Sequence, residues 1–235
     1  MADASTLSEF KQAAAESAVA QVMDGMIVGL GTGSTAAFAL TALGKRVQRG
    51  LRVIGIPTSE ATAEQARALG ISLSTLSEHV ELDLTIDGAD EVELGTFNLI
   101  KGHGGALLRE KIVASASARL LIIVDETKLV DRLGGRCAVP VEVVPFGWQA
   151  TARKLAHLGA NPSLRKRGGG EPFLTDGGHY ILDCSFGAIR SAQDLEQQLD
   201  SLVGVVEHGL FIGMATQVIV GAKNGVETLR AVGRE

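Results

Sequence analysis

The chain has 235 residues, 46% of them hydrophobic, 21% charged and 4% aromatic, and its 22 Lys and Arg against 27 Asp and Glu give a formal net charge of −5. That length suits one large domain or a domain with a smaller companion. Mild acidity and scarce aromatics argue against gripping nucleic acid through phosphates and stacked bases, and no apolar run approaches the roughly 20 residues of a membrane span. Residues Met1 to Lys11 carry Asp3 and Glu9 and lack the basic start of a secretion signal. Cys137 and Cys184 are far apart, without CxxC or His spacing, so neither a disulfide framework nor a zinc site is expected. The expectation is a soluble cytoplasmic protein with no nucleic-acid and no membrane partner.

Along the first half, strand-like runs alternate with helical patterns. Ser5 to Met23 reads as a helix, with Ala13, Ala14, Ala18 and Val22 near a 3.6 period. Met26 to Leu30 is a short strand ending in Gly31-Thr32-Gly33-Ser34-Thr35, and an Ala/Leu-rich helix follows. Leu51 to Ile56 is a second strand and Ser59 to Leu69 a second helix, capped by Thr58 or Ser59. Leu82 to Asp87 and Arg119 to Val124 are further strands, with a helix near Ala106 to Ser117 between them. Such alternation predicts an α/β fold with a mostly parallel sheet and helices on both faces.

The texture changes after about residue 135. Val139 to Val144 reads as a strand, Gly147 to Leu158 as a helix, and strands near Phe173 and at Tyr180 to Asp183 flank the turn signal Asp176-Gly177-Gly178. A helix near Ala192 to Leu199 and a strand at Leu202 to Val206 complete a β-α-β-β-α-β order, the ferredoxin-like arrangement. The expected division is 1–135 with 207–235 as a Rossmann-like domain and 136–206 as an inserted α+β domain, with Gly209 to Met214 and Gln217 to Gly221 returning to the first sheet. Lys166 to Pro172 reads as a flexible hairpin tip.

Three stretches can carry chemistry. Gly29 to Ala36 is a Gly-rich turn leaving a strand and opening a helix, where backbone N–H groups and the hydroxyls of Thr32, Ser34 and Thr35 can cradle an anion. A dinucleotide fingerprint fails at Ser34, where the third Gly belongs, and no acid ends the second strand. A Walker loop fails for want of a Lys after the glycines, so a small phosphate ester fits better than either. Asp87-Gly88-Ala89-Asp90 follows an apolar strand, at the edge where α/β sheets bind ligands; its carboxylates can bond sugar hydroxyls or move protons, or can merely cap a turn. In Lys101-Gly102-His103-Gly104-Gly105-Ala106-Leu107-Leu108-Arg109-Glu110-Lys111, helical spacing surrounds Glu110 with Ala106, Leu107, Val113 and Ala114. An apolar surround raises a carboxyl pKa toward that of a useful general base, while the helix N-terminus pulls the other way. His103 has no second His or Cys at ligand spacing. Lys128 and Lys11 can each neutralise a phosphate or sit solvated on the surface.

Taken with Val139-Pro140-Val141-Glu142-Val143-Val144-Pro145, these motifs resemble ribose-5-phosphate isomerase of the A type, and Thr58 to Thr62, Ile181 to Asp183 and Gly204 to Phe211 fall in that family's order. The resemblance implies a cofactor-free, metal-free aldose–ketose isomerase that interconverts ribose 5-phosphate and ribulose 5-phosphate in the non-oxidative pentose phosphate pathway. It implies phosphate binding at Thr32, Gly33, Ser34 and Thr35 with Lys11 and Lys128, and sugar contacts at Asp87, Gly88, Ala89 and Asp90. Lys101, Gly102, His103 and Gly104 then line the reacting end, Glu110 is the proton-transferring base, and the chain forms a homodimer or homotetramer. His103 and Leu108 depart from the family's usual Gly and Thr. A phosphate-sugar sensor, a nicotinamide dehydrogenase and an amino-sugar-phosphate deaminase are the rival readings.

Overall fold

The computed structural model describes residues 4–230; Asp3 and the outer ends of the expected first domain lie outside the described residues. In chain order the elements are α1 (Ala4–Val19), β1 (Ile27–Leu30), α2 (Ser34–Gln48), β2 (Ile54–Pro57), α3 (Glu60–Ala68), β3 (Ser72–Leu73), β4 (Leu84–Asp87), β5 (Glu91–Glu93), β6 (Leu99–Ile100) and α4 (Leu107–Ser115). They continue with β7 (Leu120–Asp125), β8 (Leu129–Val130), β9 (Val139–Val143), α5 (Trp148–His157), β10 (Asn161–Leu164), β11 (Tyr180–Ser185), α6 (Ala192–Asp200), β12 (Val205–His208), β13 (Leu210–Phe211), β14 (Gln217–Ala222) and β15 (Gly225–Arg230). Two compact units emerge: the described residues of Met1–Ala89, Arg109–Leu129 and Met214–Glu235 form one, and Asp90–Leu108 with Val130–Gly213 the other.

The first unit is built on a seven-stranded sheet in the order β15-β14-β7-β4-β1-β2-β3. Six strands run parallel, and β15 is an antiparallel edge strand that the sequence reading did not anticipate. Strand period two sends Val28, Leu30, Leu84, Ile86, Leu121 and Ile123 to one face, where they bury Ala14, Ala18, Leu40 and Leu43 of α1 and α2. Ile27, Ile54 and Ile56 point the other way, toward Val113 and Ala116 beside α4. Gly29 is needed for that second layer, because a Cβ there would lie 1.9 Å from Thr85 Oγ1 and 2.7 Å from Val113 Cγ1. The order of the strands reverses between β1 and β4, and open α/β sheets bind ligands outside the carboxyl ends of strands at such a point.

The second unit carries a four-stranded antiparallel sheet, β10-β11-β9-β12, with α5 and α6 in the β-α-β-β-α-β order expected. Val139, Val141 and Val143 of β9 bury Leu155 and Leu199 of its helices, and Ile100, Leu133 and Leu210 join the same core. That shared core is why the unit starts earlier and ends later than residues 136–206. The strand expected near Phe173 lies instead at Asn161–Leu164, an edge position where Pro162 costs no ladder bond. Phe173 belongs to a short arm closed by Arg167 N–H to Glu171 O at 2.8 Å, with Gly168 to Gly170 at its tip. Residues 209–214 do not return to the first sheet: Leu210 and Phe211 pair antiparallel with Ile100 and Leu99, and only β14 rejoins β7. Both cysteines are free thiols, and burial pushes that of Cys184 up to about 12, which leaves it inert at neutral pH. Among the described residues no helix is long and apolar enough to cross a membrane.

Candidate active site

In the first unit, β1 ends at Leu30 and the chain turns through Gly31-Thr32-Gly33 into α2. Gly31 cannot be larger, since a Cβ would meet Asp87 Oδ1 at 2.2 Å and Asp87 Cα at 2.7 Å. Gly33 has φ 110° and is the N-cap of α2, so the helix begins at Ser34 with no side-chain cap over its first N–H groups. Uncapped donors at the positive end of a helix dipole can bind an anion. Gly33 and Ser34 are exposed and Thr35 half-buried; a Cβ on Gly88 would stand 3.7 Å from Thr35 Cβ, so the two turns adjoin.

Thr32 differs from its neighbours. Its N–H donates to Asp87 Oδ1 at 3.2 Å, and its hydroxyl lies 2.7 Å from Thr58 Oγ1, 2.9 Å from Ser59 Oγ and 3.1 Å from Thr62 Oγ1. Thr58 in turn donates to Leu30 O and Thr62 to Gly31 O, so both carbonyls of the turn are fixed from below. Thr32 therefore holds the loop and Asp87 together, a role that the motif alone does not suggest. Ser59 also caps α3, accepting the Thr62 N–H at 3.1 Å.

Asp87 ends β4 and is 1% exposed; besides Thr32 its Oδ1 accepts the Gly88 N–H at 2.7 Å. Half-buried Gly88 and Ala89 follow. On the neighbouring strand, Lys11 of α1 places its ammonium 3.9 Å from Asp125 Oδ2 at the end of β7, and half-buried Lys128 closes the 3-10 turn Glu126–Lys128 that Asp125 caps. The Gly31 to Thr35 turn, Asp87 and both lysines thus sit at the carboxyl ends of the adjacent strands β1, β4 and β7. Glu110 lies on α4, 2% exposed, and its neighbour Arg109 turns away to Glu60 at 2.9 Å.

In the second unit, Asp90 Oδ2 accepts the His103 N–H at 3.1 Å, and Lys101, 3% exposed, donates its N–H to Gly209 O at 2.8 Å. The Lys101 ammonium stands 5.4 Å from the centre of the Phe211 ring, within cation–π range. Gly102 and Gly105 take φ of 104° and 84°, whereas His103 keeps a negative φ and so fits where the family usually has Gly. Its Nε2 donates to Ala138 O at 3.1 Å. Gly104 is exposed. Arg165, which no local pattern singled out, reaches this turn from far along the chain.

Among the described residues one group has metal-ligand geometry, Asp200, Glu207 and His208. Its histidine is already committed: Nδ1 accepts the Leu210 N–H at 3.2 Å, which leaves Nε2 to donate to Asp200 Oδ1 at 3.0 Å.

Known proteins resemble the chain along nearly its whole length. The family Ribose 5-phosphate isomerase A (phosphoriboisomerase A) matches residues 54–225. Ribose-5-phosphate isomerase A of Gloeobacter violaceus is 64% identical over 223 residues, covering 95% of this chain and 96% of its own. The structure of the Methanocaldococcus jannaschii ribose 5-phosphate isomerase A superposes with a TM-score of 0.91 at 42% identity, covering 94% and 98% of the two chains. A D-ribose-5-phosphate isomerase in complex with phospho-erythronic acid superposes at 0.92 with 38% identity, covering 95% and 99%. The chain belongs to the ribose-5-phosphate isomerase A family, a family of intramolecular oxidoreductases.

Proposed function

We propose that the protein interconverts ribose 5-phosphate and ribulose 5-phosphate, with Glu110 as the base. The observation that carries this reading is the joining of an uncapped helix N-terminus to a buried carboxylate: the Thr32 N–H ties the phosphate loop to Asp87. Phosphate bound at Thr32 to Thr35, with Lys11 and Lys128 near the same strand ends, supplies orientation energy far from the reacting carbons. Asp87 and Asp90 assist opening of the furanose ring. Glu110 then takes the proton from C2 of the open-chain aldose while the carbonyl electrons move to O1, giving a cis-enediolate. Return of the proton to C1, with transfer of the O2 proton to O1, completes the ketose. No electrons leave the substrate and the proton Glu110 takes is returned, so the scheme calls for no redox cofactor. Lys101 and backbone N–H groups of the Gly102 to Gly104 turn stabilise the charge that develops on the sugar oxygens. The protein works as a homodimer or homotetramer, which light scattering tests.

Conversion of ribose 5-phosphate measured in EDTA, with wild type and Glu110→Gln side by side, tests the reading. Turnover that survives the chelator and falls by at least ~10²-fold in the variant is expected for general-base catalysis. A Glu110→Gln protein that keeps most of its turnover removes Glu110 from the scheme.

A further inference from the structure

In the Lys101-Gly102-His103-Gly104-Gly105 turn, which leaves β6, two glycines are in the left-handed region and the Gly105 N–H closes on Gly102 O at 3.0 Å. A further hold comes from the second unit's β10–β11 pair. Arg165, just beyond β10, donates through one guanidinium nitrogen to Gly102 O at 2.9 Å and His103 O at 3.1 Å. Its other edge is gripped by Asp183 of β11, with Nε to Oδ2 at 3.0 Å and Nη2 to Oδ1. The pair is mostly buried, with side chains 14% and 29% exposed. Phe173 closes the third side: its ring lies 6.0 Å from the Arg165 guanidinium carbon, and a Cβ on Gly105 would stand 2.4 Å from the ring.

Peptide planarity turns this grip into a statement about chemistry. In a trans peptide the C=O of one residue and the N–H of the next point in opposite directions, and no described peptide is cis. With the Gly102 carbonyl on Arg165, the His103 N–H must point away from it, and it does, to Asp90 Oδ2. With the His103 carbonyl on the same guanidinium, the Gly104 N–H must point away as well. His103 spends its N–H on Asp90, so the donor that the turn presents to a sugar oxygen is that of Gly104.

We propose that Arg165, held by Asp183, is a positioning residue that aims the Gly104 N–H at the reacting end of the sugar. A lysine in its place keeps the charge but cannot bridge two carbonyls and a carboxylate in one plane. The inference rests on the isomerase reading for its consequence in catalysis, but the grip itself can be tested without substrate.

The experiment compares wild type, Arg165→Ala, Arg165→Lys and Asp183→Asn. In Arg165→Ala, kcat is expected to fall, by up to about 10²-fold for a misplaced constellation, while competitive inhibition by inorganic phosphate stays within about twofold of wild type. Inhibition by phospho-erythronic acid, which adds a carboxylate at the far end, weakens. Millimolar guanidinium restores part of the lost turnover, and Asp183→Asn loses less than Arg165→Ala. Amide hydrogen exchange quickens over residues 101–105 and not over 31–35. If Arg165→Ala does not fold, Arg165→Lys provides the same readings. Unchanged kcat in a folded variant, unchanged exchange at 101–105, or phosphate inhibition lost in step with kcat overturns the proposal. Failure of wild type to convert ribose 5-phosphate would instead sink the isomerase reading and leave the exchange result to decide the grip.

Discussion

The molecule holds two glycine-rich turns by opposite means. The turn at Gly31 to Thr35 is fixed by neutral hydroxyls, Thr58, Ser59 and Thr62, and by a carboxylate that accepts its N–H. The turn at Lys101 to Gly105 is fixed by a guanidinium that grips its carbonyls and by an aromatic ring. The difference matches the ligand groups proposed for each turn. If the first binds the phosphate through donors at a helix start, its props take up carbonyls from beneath. If the second offers a single outward N–H, a cation on the carbonyl side sets its direction. A hydroxyl could serve the first turn because each carbonyl there has its own prop; at the second, one guanidinium nitrogen serves two carbonyls while the other edge of the flat fork is held by a carboxylate.

The largest test of this contrast compares Gly31→Ala with Gly105→Ala. The new Cβ at 31 meets the backbone of Asp87, which cannot yield, whereas that at 105 meets the far end of a Phe ring. Gly31→Ala is expected to lower kcat/KM by about 10²-fold or more, since a displacement of about 1 Å is enough for that, and Gly105→Ala by less. Initial rates on folded protein decide it, and a greater loss in Gly105→Ala would break the comparison. Gly33→Ala separates strain from crowding: nothing lies within 4 Å of its Cβ, but φ of 110° should cost about 1–3 kcal/mol of stability.

The same contrast explains what could be foreseen. The first turn is a local strand–turn–helix unit, so its glycines, Ser34 and Thr35 announce an anion cradle in eight consecutive residues. Asp87 sits at the end of an apolar run and Glu110 on an apolar helical face, both of which periodicity exposes. Arg165 and Phe173 carry no such mark, because their meaning lies in contacts made some 60 to 70 residues away in sequence, and that of Asp183 lies in its grip on Arg165. Pro162 hid β10 and moved the expected strand to Phe173, which separated Arg165 from the sheet that positions it. Two-residue pieces such as β6 and β13 are too short for any alternation to show, so the reach of the second unit beyond 136–206 was equally hidden.

A middle-sized effect tests the hydroxyl props. Thr62→Val keeps the shape but removes the donor to Gly31 O, and a buried acceptor left without its partner costs about 1–3 kcal/mol. The melting temperature should fall and inorganic phosphate should inhibit less well, with Thr62→Ser near wild type. Phosphate inhibition unchanged in Thr62→Val would mean that the loop keeps its shape without the network.

The smallest effect sets an exposed ion pair beside the buried one. Glu60 and Arg109 bridge α3 and α4 at 2.9 Å, with side chains 65% and 40% exposed. The hydrogen bond from Arg109, and then its charge, hold the Glu60 carboxyl below its ordinary value. A carboxylate lowered by folding adds stability above its unfolded pKa, about 4.3 for Glu, and that contribution disappears as pH falls through the lower folded value. Glu60→Gln should therefore shift the melting temperature by no more than about a degree at pH 7, as exposed pairs do, and by nothing at a pH below both values. In about 1 M salt, where screening acts over about 3 Å, the neutral-pH difference should vanish too. Arg165→Ala should behave otherwise: its loss of turnover should persist in the same salt, because the grip on Gly102 and His103 is a pair of direct hydrogen bonds, 2.9 and 3.1 Å, rather than an attraction acting through water. If salt alone brought wild type down to the variant's turnover, the second turn would be held by charge, and its flat fork would have no special part to play.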